Sequence, residues 1–239
     1  MNQIKTPIIN VEDLIKDIAR QFYEADISFF HGTDNAVDES AYLVFGYLGL
    51  DHDSTEITYQ KNISKSDIAA LELLCKKRID SKLPVAYILN QAWFAGLEFF
   101  VDQRVLIPRS PIAELILNQF KPWIDLDFER RALDLGTGSG CIAIALATYF
   151  SKISVDAIDY SIDALEVAKI NIKKHSLENR VRLIESNFFE SLSATKNLHQ
   201  YDLIVSNPPY VNKEDISIMP MEFHHEPIFG LASGDDGLE

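Results

Sequence analysis

The six residues SNPPYV, at positions 206–211, place an asparagine, two prolines and a tyrosine directly after a short apolar run. Leu203 to Val205 predict a buried strand, so the motif begins where that strand ends. The amide of Asn207 has an acceptor oxygen and an NH2 donor, and the prolines lock the backbone and remove two N–H groups. The carbonyl groups of the motif therefore stay free to accept hydrogen bonds.

This arrangement suits a substrate that carries a planar NH2 group. Asn207 Oδ1 and the Pro208 carbonyl could accept one N–H bond each, while Tyr210 packs on the plane. Such contacts would hold the nitrogen in line with an electrophilic carbon and stabilise the positive charge that develops on nitrogen, without a general base. The alternative is a loop that merely turns after a strand. We predict the catalytic site of an amino-methylating enzyme, formed by Asn207, Pro208, Pro209 and Tyr210.

A glycine-rich loop joins another predicted strand to a helix in LDLGTGSGCIAIALA, residues 133–147. Its G-x-G-x-G spacing differs from the dinucleotide G-x-G-x-x-G, and no P-loop lysine follows. Asp159 ends the next strand, where a carboxylate can accept both hydroxyls of a ribose. Asp134 precedes the loop and could hold a cationic amino-acid tail, which a pyrophosphate site would avoid. The pattern favours S-adenosylmethionine over NAD; the alternative is a glycine turn that packs a helix on a strand.

Further cofactor contacts are predicted in IESNFFE, residues 184–190. Asn187 could bond the adenine edge, and Phe188 or Phe189 could stack on its face; the alternative is a turn residue followed by core aromatics. The full set of predicted cofactor-binding residues is Asp134, Gly136, Thr137, Gly138, Gly140, Asp159, Asn187, Phe188 and Asn207.

The elements that must position these residues form two parts. Residues 9–83 predict three to four helices, with Asn10 and Ser64 as caps and Gly49 as a helix end. A strand, a tight turn and a strand follow within residues 84–109. A helix is expected from Ser110 to about Pro122. From residue 130, short apolar strands alternate with helices, which indicates a parallel sheet with crossover helices.

Composition limits the class of protein. Hydrophobic residues make up 47% of the 239 residues, and the net charge is −14. No signal peptide or membrane-spanning run is visible, and the two distant cysteines give no disulfide or zinc framework, so we expect a cytoplasmic protein. The charge and the lack of a basic stripe argue against a nucleic-acid substrate and fit a basic protein partner or simple solubility. We predict no metal site; His31, Asp34 and Asn35 suit helix capping or substrate docking.

The G-x-G-x-G loop together with Asn-Pro-Pro-Tyr resembles the class I S-adenosylmethionine-dependent amino-methyltransferases. More narrowly, the stretch PVAYILNQAWFAGLEFFVDQRVLIPRSPIAEL, at residues 84–115, resembles the HemK-like protein-(glutamine-N5) methyltransferases. The resemblance implies an α/β, Rossmann-like methyltransferase domain at 110–239. It also implies a helical substrate-docking domain at 1–83 and a connecting β-hairpin at 84–109. Phe94 and Arg109 match positions on the approach to the active site.

The resemblance also bears on the acceptor. HGTDNAVDESAYLV at 31–44 and HHEPIFGLASGDDGL at 224–238 are similar to the branch that methylates a glutamine of large-subunit ribosomal protein L-three. A release factor is the alternative protein substrate. An adenine-N6 nucleic-acid methyltransferase and a catalytically inactive binding module are the other hypotheses. The resemblance implies further strands beyond the four predicted here, so the sheet is expected to be incomplete at its C-terminal end.

Overall fold

A computed structural model describes residues 9–51, 55–124, 130–193 and 201–235. The chain divides into two compact units, Met1–Leu89 and Asn90–Glu239. The first unit contains the helices α1 Val11–Glu24, α2 Ala36–Leu48, α3 Glu56–Tyr59, α4 Lys65–Ser81 and α5 Val85–Leu89. The second unit contains, in chain order, β1 Ala92–Phe94, β2 Leu97–Phe99, α6 Ile112–Leu117, β3 Arg130–Leu135, α7 Cys141–Tyr149, β4 Ile153–Asp159, α8 Ile162–Lys174, β5 Val181–Glu185, α9 Glu190–Ser193, β6 Leu203–Ser206 and α10 Lys213–Ile218.

Side-chain caps set the helix limits in the first unit. The side chain of Asn10 accepts a hydrogen bond from the Asp13 amide at 2.8 Å, and Ser64 Oγ caps α4 in the same way. Asn35 accepts from two amides at the start of α2, and α2 ends at Gly49 with a φ of 62°. These contacts satisfy N–H groups that have no partner inside a helix. The predicted caps at Asn10 and Ser64, the helix end at Gly49 and the capping role of Asn35 are confirmed.

A buried ion pair joins α4 to α2 in this unit. Arg78 Nε lies 2.7 Å from Glu39 Oε1, and the two side chains are 1% and 6% exposed. We expect Arg78→Ala to lower the free energy of unfolding by about 3–5 kcal/mol, because a buried carboxylate loses this cation. Lys16→Ala removes a solvent-exposed pair with Glu12 and should cost much less, because solvent screens that pair. Urea denaturation followed by circular dichroism compares the two variants; equal losses would contradict the expectation.

The second unit is built on a parallel sheet with the strand order β5-β4-β3-β6. In its register, Ala132 of β3 pairs with Val155 of β4 and with Leu203 of β6. Ala132, Val155 and Ala157 lie on one face and pack with the buried residues of α7 in the main core. Because all four strands are parallel, their carboxyl ends lie at one edge, and the loops that follow them converge there. The four strands and their alternation with helices are confirmed.

The hairpin of β1 and β2 belongs to the second unit. Its strands pair antiparallel through a turn at Ala95 and Gly96, both with positive φ. Phe94 and Phe99 are buried in the same core cluster as Ile116 of α6. Burial of the two aromatic rings thus fixes the hairpin, predicted as a connector at 84–109, to this core.

Helix α6 is shorter than expected. It ends at Leu117 instead of continuing to about Pro122. The residues that follow, Gln119 and Phe120, have φ values of 58° and 52°, which a continuing helix cannot accommodate.

Over the described ranges, no helix is both long and apolar enough to cross a membrane.

Candidate active site

A cavity of ≈ 250 Å³ opens where the loops after the parallel strands converge. The loops after β3, β4, β5 and β6 all contribute to its wall, through Gly136–Ser139, Asp159–Tyr160, Ser186–Phe188, and Asn207 with Pro209. This is the edge of a doubly wound sheet at which ligands bind. The sequence motifs that were singled out for different chemical roles therefore meet around one space.

The glycine loop turns tightly between β3 and α7. Gly136, Gly138 and Gly140 have φ values of 72°, 54° and 82°, a region that other residues rarely enter. The amides of Gly136 and Thr137 both donate to the Ile158 carbonyl of the neighbouring strand, at 2.9 and 2.8 Å. The loop is thus fixed to the end of β4, with its side-chain-free backbone facing the cavity.

Gly140 is required for a second reason. A Cβ atom there would lie 3.2 Å from Ala168 Cβ and 3.3 Å from Ile144 Cδ1, whereas a Cβ on Gly138 would meet nothing within 4 Å. We expect Gly138→Ala to cost about 1 kcal/mol of stability from positive φ alone, and Gly140→Ala about 2–4 kcal/mol because packing strain is added. Urea denaturation without cofactor tests this difference. If Gly140→Ala lowers the free energy of unfolding no more than Gly138→Ala does, the contact between α7 and α8 adjusts to the added methyl group without strain.

Asp134 lies beneath the glycine loop and is fully buried. Its Oδ2 accepts hydrogen bonds from Thr137 Oγ1 at 2.6 Å and from the Ala143 amide at 3.2 Å. Its Oδ1 has no hydrogen-bond partner in the part of the chain that the structure describes. Burial raises the pKa of the Asp134 carboxyl to about 7, against the opposing effect of these hydrogen bonds. Asp134 is not among the residues that line the cavity, so its carboxylate would act on a bound cation through its charge and not by direct contact.

Asp159 stands at the end of β4 and lines the cavity. Its Oδ2 accepts the Gly138 amide at 2.8 Å, and its Oδ1 accepts the Ser161 amide at 2.9 Å. Burial raises the pKa of the Asp159 carboxyl, and the amide donors oppose that rise. The carboxylate is held in a fixed orientation, and each oxygen can still accept a further hydrogen bond.

The charges around the cavity are compensated unequally. Of the lining residues, Arg104 pairs with Asp102 at 2.7 Å, and Arg109 pairs with Glu226 at 2.6 Å. Asp134 and Asp159, by contrast, accept hydrogen bonds only from neutral groups among the residues that the structure describes. The cations are thus cancelled while the carboxylates are not. These residues fit S-adenosylmethionine, which carries a sulfonium and an ammonium group, and would repel a pyrophosphate.

The acceptor motif reaches the same cavity in part. Asn207 and Pro209 line it, whereas Pro208 and Tyr210 are exposed and lie outside the lining. Tyr210 is 67% exposed, which leaves its ring accessible to a partner molecule. The structure brings Asn207 together with the glycine loop, as predicted, and presents Tyr210 at the surface.

Hydrogen bonds hold both ends of the acceptor motif. Ser206 Oγ donates to the Leu135 carbonyl at 2.8 Å, which fixes the end of β6 to the end of β3. Val211 donates to the Leu231 carbonyl at 2.9 Å and accepts from the Ser233 amide at 3.0 Å. The two prolines therefore lie in a segment with little freedom to move.

The other predicted site residues differ in position. Asn187 and Phe188 line the cavity, and Asn187 Nδ2 donates to Glu190 Oε1 at 2.9 Å at the start of α9. Gly140 lies behind the loop against α8. Phe94 is not part of the cavity wall: it is 4% exposed within the core. Its predicted place on the substrate approach stays a prediction.

The sequence did not reveal several residues of the cavity wall. These are Arg104, Tyr160, Ser186, Pro227, Phe229 and Gly230. Tyr160 could have been found from its position next to Asp159. The segment 227–230 lies in the stretch that indicated the family branch, but its place in the cavity wall was not predictable, because only the folded chain brings it to the loop that precedes α6. Over the described ranges, no group of three or more His, Cys, Asp or Glu could hold a metal ion.

Known proteins match this chain over its whole length. The sequence pattern described as the methyltransferase small domain matches residues 112–224. A ribosomal protein uL3 glutamine methyltransferase from Neisseria meningitidis serogroup B is 42% identical over 239 residues, which covers 100% of this chain and 77% of the relative. The protein of the same description from Francisella tularensis is 43% identical over 242 residues and covers 99% and 76%. A solved structure, the hMettl16 catalytic domain in complex with MAT2A 3'UTR hairpin 6, shares 18% identity, with 73% and 60% coverage and a TM-score of 0.42.

The parallel sheet, the glycine loop and the cavity at its edge define a class I, Rossmann-like methyltransferase. Its methyl donor is S-adenosylmethionine. With relatives at this identity along its full length, the chain belongs to the ribosomal protein uL3 glutamine methyltransferase family.

Proposed function

We propose that this chain transfers a methyl group from S-adenosylmethionine to the N5 nitrogen of a glutamine side chain in large-subunit ribosomal protein uL3. The observation that carries the proposal is the position of Asn207, which lines the same cavity as the glycine loop and Asp159. The descriptions of the relatives support the choice of uL3 over a release factor. An exocyclic amine of a nucleobase would also fit the motif, but the net charge of −14 disfavours nucleic acid.

The residues that would hold the cofactor surround the cavity on one side. Bound S-adenosylmethionine supplies an electrophilic methyl group on its sulfonium sulfur. Asp159 would accept hydrogen bonds from the ribose hydroxyls, and Asn187 would bond the adenine edge with Phe188 against its face. Asp134 supplies negative charge behind the loop, which favours the ammonium group. The backbone of the glycine loop would permit close approach of the ligand.

The acceptor residues would act by orientation. Asn207 Oδ1 and the Pro208 carbonyl would accept the two N–H bonds of the glutamine carboxamide, with Tyr210 against its plane. Their dipoles also stabilise the positive charge on nitrogen as the N–C bond forms and the C–S bond breaks. The methylated nitrogen then loses a proton to water, so the site needs no strong base.

The helical part, residues 1–83, would dock the substrate protein. An acidic chain attracts a basic ribosomal protein at long range, and this attraction weakens as salt is added. The reaction would take place in the cytoplasm, where newly made ribosomal proteins are present.

Mass spectrometry of methyl transfer tests the proposal. Recombinant uL3 and a peptide release factor are incubated separately with the protein and S-adenosylmethionine, and the products are mapped by peptide fragmentation. We expect one methyl group on one glutamine of uL3 and none on the release factor. Methylation of the release factor alone would assign the chain to the other branch. Incorporation only into DNA or RNA offered in parallel would overturn the choice of a protein acceptor.

A further inference from the structure

Glu226 is a buried carboxylate with three donors. Its side chain is 0% exposed. Its Oε1 accepts hydrogen bonds from Arg109 at 2.7 Å and from the Ile107 amide at 3.0 Å, and its Oε2 accepts from Arg109 at 2.6 Å. Two parallel bonds between a guanidinium and a carboxylate form the strongest geometry for such a pair. Glu226 therefore fixes the orientation of Arg109, although the two residues are far apart in sequence.

This pair joins two segments of the cavity wall. The segment 104–110 precedes α6, and the segment 227–230 comes after the acceptor motif. The two segments are in van der Waals contact, since a Cβ added at Gly230 would lie 3.9 Å from Leu106 Cβ. The Arg109 guanidinium also stands 5.5 Å from the centre of the Phe223 ring. Loss of the Glu226 carboxylate would release Arg109 and loosen this side of the cavity.

The pair also has an electrostatic effect. A guanidinium stays protonated in proteins, so Arg109 always brings a positive charge to the cavity wall. The sulfonium of S-adenosylmethionine is positive, whereas the thioether of the product S-adenosylhomocysteine is neutral. An uncompensated cation on the wall would therefore weaken binding of the methyl donor more than binding of the product. Glu226 cancels that charge inside a poorly solvated site, where it acts strongly.

We propose that Glu226 is a positioning residue of the methyl-transfer site, which fixes Arg109 in the cavity wall and cancels its charge so that the sulfonium cofactor is favoured over the neutral product. This inference rests on the methyl donor of the proposed function and not on the identity of the acceptor protein. Glu226 itself lies outside the cavity lining, so it would act on the cofactor through Arg109, which is part of that lining.

Calorimetric binding of S-adenosylmethionine and S-adenosylhomocysteine to the intact chain tests the inference. We expect Glu226→Gln to weaken the donor relative to the product by roughly tenfold, the size expected for two unit charges about 10 Å apart at an effective dielectric constant near 20. Arg109→Gln removes the positive charge from the wall and keeps Glu226, and should shift the ratio in the opposite direction. The double change should return the ratio to that of the unmodified protein. Glu214→Gln, an exposed acid in α10, is the control of equal charge and should leave the ratio unchanged.

The possible outcomes separate the inference from a merely structural role. Equal weakening of both ligands by Glu226→Gln would mean that the residue only maintains the wall, and would overturn the proposal. Shifts of opposite sign in the two single variants would support it. If a thermal melt shows that Glu226→Gln does not fold, the Arg109→Gln and double variants decide by the same ratio. Failure of the unmodified protein to bind either ligand would instead contradict the proposed function.

Discussion

Asn207→Ala is expected to slow methyl transfer to uL3 by about 10²–10³-fold while leaving the affinity for S-adenosylmethionine within about threefold. The loss follows from orientation and charge stabilisation of the acceptor nitrogen, which the shortened side chain no longer provides. The side chain lines the cavity at the end of β6, so its removal need not disturb the glycine loop. Single-turnover transfer and calorimetric cofactor binding measure the two quantities separately.

A matched control is available in the same unit. Asn179 is exposed and lies outside the cavity wall, so Asn179→Ala should retain both transfer and binding. Asn207 was predicted to serve both the acceptor and the cofactor. A fall in cofactor affinity as large as the fall in transfer would assign Asn207 to the cofactor, and the acceptor contacts would then have to come from the proline carbonyls alone.

Asp134→Asn is expected to have two opposite effects. It should weaken S-adenosylmethionine binding by about 10-fold to 100-fold, because the negative charge behind the loop disappears. It should also stabilise the cofactor-free protein at alkaline pH. Burial raises the pKa of this carboxyl from 3.8 to about 7, so ionisation of the folded protein is costly. The cost is absent below the unfolded pKa and grows until the pH passes the folded pKa.

The change of this stability difference with pH tests the burial of the Asp134 charge more directly than the binding measurement does. The variant's stability advantage over the unmodified protein should be about 2–3 kcal/mol larger at pH 8 than at pH 5, at about 1.4 kcal/mol for each pKa unit. The asparagine amide costs the same at both pH values, so the difference isolates the charge. Asp163→Asn, which removes an exposed acid at the start of α8, is the control of equal charge. An advantage that does not change with pH would mean that the Asp134 carboxyl is ionised in the folded protein without cost.

The parts of the site that sequence reasoning found are local in the chain. The glycine loop, Asp159 and Asn207 each stand directly after an apolar strand, and parallel strands bring such positions to one edge. A short stretch of sequence was therefore enough to place each of them. The helix caps at Asn10 and Ser64 were predictable for the same reason, since a cap bonds to amides two or three residues away.

The parts that sequence reasoning missed depend on distant contacts. The Arg109–Glu226 pair joins positions that no periodic pattern relates, and neither residue alone predicts the other. The burial of Phe94 was not predicted, because a strand of three residues does not show which face its ring will bury. The early end of α6 at Leu117 likewise reflects a local backbone turn that the apolar pattern did not reveal.

The described cavity wall comes entirely from the unit Asn90–Glu239. The residues around the methyl-donor cavity are therefore encoded in one continuous part of the gene, which does not include the N-terminal helices. Under the docking role proposed for residues 1–83, a change in those helices would alter which protein is presented for methylation without changing the residues of the cavity wall. In that case the choice of acceptor protein and the transfer of the methyl group could evolve independently within one polypeptide.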